Sequence, residues 1–151
     1  MKLTIIWVWR LISTVSAAGW MGFIFYLSSY SPVDLLPRVE QFSWLGKWRE
    51  VVGHLVLYGV LGALLLITLW SWVVASSHKI KWALLAICLG ILYGVLDEYH
   101  QSFVPGRTAT AIDLFVDVLG VTIGVMGSSW LRYLGNKRTL VAKVARNENT
   151  V

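Results

Sequence analysis

Two stretches of the chain, Leu11 to Val33 and Val51 to His78, contain no Asp, Glu, Lys or Arg. Each exceeds the ~20 apolar residues that a helix needs to cross a bilayer. Two more, Trp82 to Gln101 and Ile112 to Leu131, are also long enough, but Asp97, Glu98, Asp113 and Asp117 intrude near their ends. The pattern predicts an all-α integral membrane four-helix bundle in which the third and fourth spans form an antiparallel hairpin. The first span resembles a signal peptide, with Lys2 and Arg10 ahead of an apolar run and "SAAG" as a cleavage-like site. Its apolar character continues through Trp20 to Leu27, which favours a retained helix. A single domain is expected over residues 1–135, followed by a basic, partly disordered polar tail over 136–151.

The longest connection, residues 28–50, opens with "SSYSPVDLLP", whose prolines stop the first helix. Phe42, Trp44, Leu45 and Trp48, mixed with Arg38, Lys47 and Arg49, fit either an ordered loop anchored by two Trp or a short amphipathic piece on the membrane surface.

Composition agrees with the pattern: of 151 residues, 57% are apolar and 14% charged, too greasy for an ordinary soluble domain. The basic residues orient the bundle. Lys2, Arg10, Lys79, Lys81, Arg132, Lys137, Arg138, Lys143 and Arg146 fall on one side, against Arg38, Lys47, Arg49 and Arg107 on the other, so both termini are expected in the cytoplasm. Trp7, Trp9, Trp70, Trp72, Trp82 and Trp130 fall near the same inner boundary, where amphipathic rings suit the headgroup layer. The net charge of +5 then reads as anchoring to anionic membrane lipid rather than nucleic-acid binding, because no basic face interleaved with exposed aromatics is present. The single Cys88 excludes an intramolecular disulfide and a Cys-based metal cluster.

The ionisable residues concentrate in "LDEYHQSFVPGRTATAID", Leu96 to Asp113, which joins spans three and four on the outer side. Pro105 and Gly106 make the turn, and Thr110 caps the fourth helix. Gly90, Gly94, Asp97 and Gln101 lie on one stripe of span three; Asp113, Asp117, Gly120 and Gly124 repeat it in reverse along span four. An antiparallel pair would set glycines against glycines at mid-membrane and polar halves against each other at the outer end. A charged Asp at a helix centre costs about 2.5–3.5 kcal/mol on insertion, less near the interface. Arg107, with a guanidinium fork able to bridge two carboxylates, is the expected partner. His54, opening span two at the same level, and Tyr58 one turn deeper are the others. Asp113 is open to two readings, a site acid or only the partner of Thr110 in a capping box. His100 is expected to be an exposed interface residue.

These residues resemble the VanZ-like family, on "HLVLYGVLGALL" at 54–65 and "DEYHQSFVPGRTATAIDLFVDVLGVTIG" at 97–124. The signature is a DE-x-x-Q segment, an Arg in the following loop, then an Asp and a Gly along the next helix. The resemblance implies functional positions at Asp97, Glu98, Gln101, Arg107, Asp113 and Gly120, with His54 as a partner in the second helix. The family often carries Asn where this chain has Asp117, so an amide is expected to serve there. The resemblance also implies a bacterial cell-membrane protein associated with low-level resistance to teicoplanin, a lipoglycopeptide that binds cell-wall precursors.

Two function classes follow. One is a non-enzymatic envelope protein whose outward polar pocket engages a lipid-linked cell-wall precursor or a glycopeptide, with Arg107 meeting an anion. The other is a small membrane hydrolase or phosphotransferase acting on a lipid-linked substrate, with a carboxylate as general base and His54 or Arg107 aiding a phosphoryl group. Paired carboxylates near a His could in that case hold a divalent cation. No nucleophile elbow and no HExxH is present. No cofactor and no metal ligand set is assigned.

Overall fold

The computed structural model describes residues 2–35, 37, 39–73, 79–107 and 110–148, so Arg38 and Ser77 lie outside the described residues. The helices are α1 (Lys2–Ser28), α2 (Pro32–Leu35), a 3-10 helix (Glu40–Trp48), α3 (Arg49–Trp72), α4 (Lys79–Gln101) and α5 (Ala111–Glu148). Four of them, α1, α3, α4 and α5, are long and apolar enough to cross a membrane. At 1.5 Å per residue, the 24 residues of α3 span about 36 Å, more than the ~30 Å hydrocarbon core.

In this bundle α3 is central, packed on α1, α4 and α5, with α5 as its most extensive partner. Ile24, Tyr58, Leu61, Leu66, Ala86, Val121 and Val125 form the buried core. Large apolar side chains such as Leu92, Val95, Leu96, Ile123 and Met126 point outward, while Ser13, Ser28, Asp97, Glu98, Gln101 and Asp117 are buried. That distribution suits a lipid solvent, where polar groups must find partners inside the protein.

The glycine stripes pack differently from expectation. Gly90 and Gly94 do face α5, but they receive side chains rather than glycines. A Cβ built on Gly90 would lie 2.7 Å from both γ-carbons of Val121, and one on Gly94 would lie 3.4 Å from Leu114 and Tyr58 and 3.5 Å from the Asp117 Cβ. The backbone-to-backbone approach is between α3 and α5. A Cβ on Gly120 would lie 2.7 Å from the Leu55 carbonyl oxygen and 3.1 Å from the Gly59 nitrogen. One on Gly124 would meet the Gly59 carbonyl, and one on Gly62 the Val121 carbonyl. Helical periodicity shows that small residues share a face, not which neighbour that face meets.

At the end of the bundle opposite the hairpin, the Arg10 guanidinium lies 4.9 Å from the Trp7 ring centroid and 5.1 Å from that of Trp72. It also donates from Nε to the Ser71 carbonyl (3.1 Å). Arg132 stacks over Trp70 at 4.4 Å. The start of α1, the end of α3 and the distal part of α5's apolar segment therefore share one belt of cations and indoles. In the 28–50 connection the amphipathic stretch becomes the 3-10 helix, broken at Gly46 (φ 52), with Trp44 and Trp48 exposed. The described part of the polar segment after residue 135 continues α5 as far as Glu148. No proline or further glycine interrupts it, and the Thr139 hydroxyl donates to the Gly135 carbonyl (3.0 Å).

Candidate functional site

The hairpin between α4 and α5 begins with the DE-x-x-Q segment in the last turns of α4. There Asp97, Glu98 and Gln101 point inward, each less than a tenth exposed. The turn that follows uses Gly106 in the left-handed region (φ 79), packed against Pro32. Thr110 then caps α5: its hydroxyl donates to Asp113 Oδ2 (2.6 Å) and accepts from the Asp113 backbone N–H (3.2 Å). The structure thus gives Asp113 its capping role. Glu98 Oε2 accepts the Thr110 backbone N–H (3.1 Å), tying the end of α4 to the start of α5.

Two linked clusters fill the space between helices. In the first, Asp97 Oδ2 accepts from the Tyr58 hydroxyl (3.1 Å) and from Gln101 Nε2 (2.9 Å). Gln101 Oε1 in turn accepts from Arg107 Nη1 (2.8 Å). In the second, His54 Nδ1 pairs with Asp117 Oδ1 at 2.9 Å, with Asp117 fully buried. With Asp117 ionised, its oxygen can only accept, so Nδ1 would carry the hydrogen, and in a neutral ring Nε2 would then be the basic nitrogen. The His54 and Tyr58 rings lie parallel one turn apart on α3, 6.3 Å between centroids. The absence of a side chain at Gly94 leaves room for Tyr58 and Asp117 to meet α4.

Arg107 departs from expectation. Among the described residues its guanidinium meets no carboxylate. Nε donates to the Tyr30 carbonyl (3.0 Å), Nη2 to the Leu27 carbonyl (3.3 Å) and Nη1 to Gln101. The last turn of α1 has no basic residue of its own. Its open carbonyls are strong acceptors at the negative end of a helix dipole, and Arg107 is the cation that meets them. Ser28, whose hydroxyl accepts from Gln101 Nε2 (3.4 Å), and the Leu27 and Tyr30 carbonyls were not among the residues expected at the site. The signal available was an α1 C-terminus ending at the same membrane level as the loop. His100 also turns toward α1, with Nε2 3.1 Å from the Ser29 hydroxyl and its ring stacked on Phe25 at 4.3 Å.

The outcome is a polar centre whose acids are buried between the helices. Three buried carboxylates converge with one imidazole, and the Arg107 guanidinium is committed to carbonyls and an amide. One oxygen of each acid, Asp97 Oδ1, Glu98 Oε1 and Asp117 Oδ2, is buried without a hydrogen-bond partner among the described residues. His54, Glu98 and Asp117 each offer a ligand atom, all within 4.8 Å of one another. Two ionised carboxylates at that separation repel by roughly 3–4 kcal/mol at an effective dielectric of about 20. Such a centre can orient an imidazole, exchange a proton or hold a cation.

No curated protein and no solved structure matches the chain. Residues 13–132, which include all four spans' cores, the DE-x-x-Q segment, Arg107 and the His54–Asp117 pair, match the VanZ/LLP1 family. This chain, a membrane protein with four candidate spans, belongs to the VanZ/LLP1 family.

Proposed function

We propose that the protein works in the bacterial cell envelope, where its polar centre engages the headgroup of a lipid-linked cell-wall precursor and thereby lowers susceptibility to teicoplanin. The observation that carries this reading is the burial of Asp97, Glu98 and Asp117 at the hairpin end of a membrane bundle. Intramembrane acids are costly and usually functional. Asp97 has one oxygen fully occupied by Tyr58 and Gln101 and the other without a partner. A group serving only to join helices would not need the second.

The test compares wild type with Asp97→Asn in a sensitive host, reading teicoplanin susceptibility at protein levels matched by blotting. An amide oxygen can still accept from Tyr58 and Gln101, so the variant should insert and fold while losing protection. Full protection by Asp97→Asn would reduce the centre to scaffolding.

A second reading, a hydrolase or phosphotransferase acting on a lipid-linked phosphate, is favoured by the His54–Asp117 pair. A carboxylate holding Nδ1 sets the tautomer and leaves Nε2 as a general base. Release of phosphate from a lipid-linked substrate by purified protein, abolished by His54→Ala, would select this reading.

A further inference from the structure

We propose that His54, Glu98 and Asp117 form a binding site for a divalent cation of the Zn2+ or Mn2+ class inside the bundle. The inference shares the polar centre with the proposed function but does not require its lipid ligand. Three observations lead to it. First, the three side chains come from α3, α4 and α5 and place one ligand atom each within 4.8 Å of the others. Ligands about 2.0–2.2 Å from a metal sit roughly 3–4 Å apart, so small side-chain rotations complete the set.

Second, both acids present a buried oxygen that has no partner among the described residues. Glu98 Oε2 is fixed by the Thr110 N–H, which leaves Oε1 to a ligand, and Asp117 Oδ2 is likewise open; a cation would take the place of the hydrogen between His54 Nδ1 and Asp117. Fixing one oxygen of a carboxylate so that the other is presented is how outer hydrogen bonds orient metal ligands. Third, among the described residues no Arg or Lys pairs with these acids. Arg107 is spent on the Leu27 and Tyr30 carbonyls and Gln101, and the one imidazole faces both Glu98 and Asp117. One imidazole and two carboxylates are borderline-to-hard donors, which suits Zn2+ or Mn2+ and disfavours a thiophilic ion. Three protein ligands also leave a coordination position for water or a phosphate oxygen.

The experiment uses the full chain purified in detergent without chelator, with metal content measured by plasma mass spectrometry. Wild type should carry about one Zn2+ or Mn2+ per chain. Chelator-stripped protein should regain thermal stability on adding Zn2+ or Mn2+, and the ion giving the larger rise identifies the preferred metal. Glu98→Gln and Asp117→Asn should each weaken binding by about 10-fold or more, whereas Asp34→Asn, an acid on exposed α2, should bind as wild type does. Zinc-edge absorption of the Zn2+-loaded wild type should show one imidazole with oxygen ligands, a readout that does not require any variant to fold. Site variants binding as tightly as wild type, or a metal shell without imidazole, would overturn the proposal. The two readings fail separately: loss of protection by Asp97→Asn in a protein that binds no metal would retain the functional reading and reject the cation.

Discussion

Replacing Gly120 with Ala tests the closest packing in the bundle with the smallest perturbation. The added Cβ would stand 2.7 Å from the Leu55 carbonyl oxygen, 3.1 Å from the Gly59 nitrogen and 3.1 Å from the Tyr58 Cβ. Two of those atoms are backbone of α3, which no rotamer change can move, so α5 must shift away from its largest contact. Overpacking of this kind costs about 1–3 kcal/mol. Ala also gains about 0.5–1 kcal/mol over Gly in a helix, so the clash must exceed that gain to be seen. Gly94→Ala is the matched control. Its Cβ meets side chains at 3.4–3.5 Å, which is ordinary contact, so the propensity gain should leave it neutral or slightly stabilising. Thermal unfolding of detergent-purified protein reads the difference, at about 2–4 °C per kcal/mol for a chain near this size. Gly120→Ala as stable as wild type, or Gly94→Ala the more damaging of the two, would refute the assignment of the tight interface to α3 and α5.

Arg107→Lys should lower stability by about 1.5–3 kcal/mol, because one ammonium cannot reproduce a planar fork spread over two carbonyls and an amide; an unchanged melting temperature would mean that charge alone suffices at the α1 terminus. For orientation, single cysteines introduced by Ser102→Cys and Ser77→Cys in a Cys88→Ser background should react with an impermeant thiol reagent from outside and inside respectively. The reverse labelling would put the polar centre at the cytoplasmic face and end the envelope reading.

Hydropathy alone determined the class of this protein and its number of spans, because a bilayer demands a long uncharged helix and the chain has four candidates. Helical spacing also determined that Asp97 and Gln101 share a face and that Thr110 and Asp113 form a cap, since both are relations within a few residues of one helix. The VanZ-like signature singled out Asp97, Glu98, Asp113, Arg107 and His54 by residue type and order, but not Asp117, where the family often carries Asn. The tertiary structure decided who meets whom. Gly120 and Gly124 admit the α3 backbone instead of the α4 glycines, as a small-residue stripe specifies closeness but not a partner. Arg107 turns to the end of α1 because open helix-terminal carbonyls at that level compete for the guanidinium, and they lie 77 and 80 residues away in the chain. The pairing of His54 with Asp117 across 63 residues likewise follows from α3 being central, and a linear pattern holds no information on which helix takes that place.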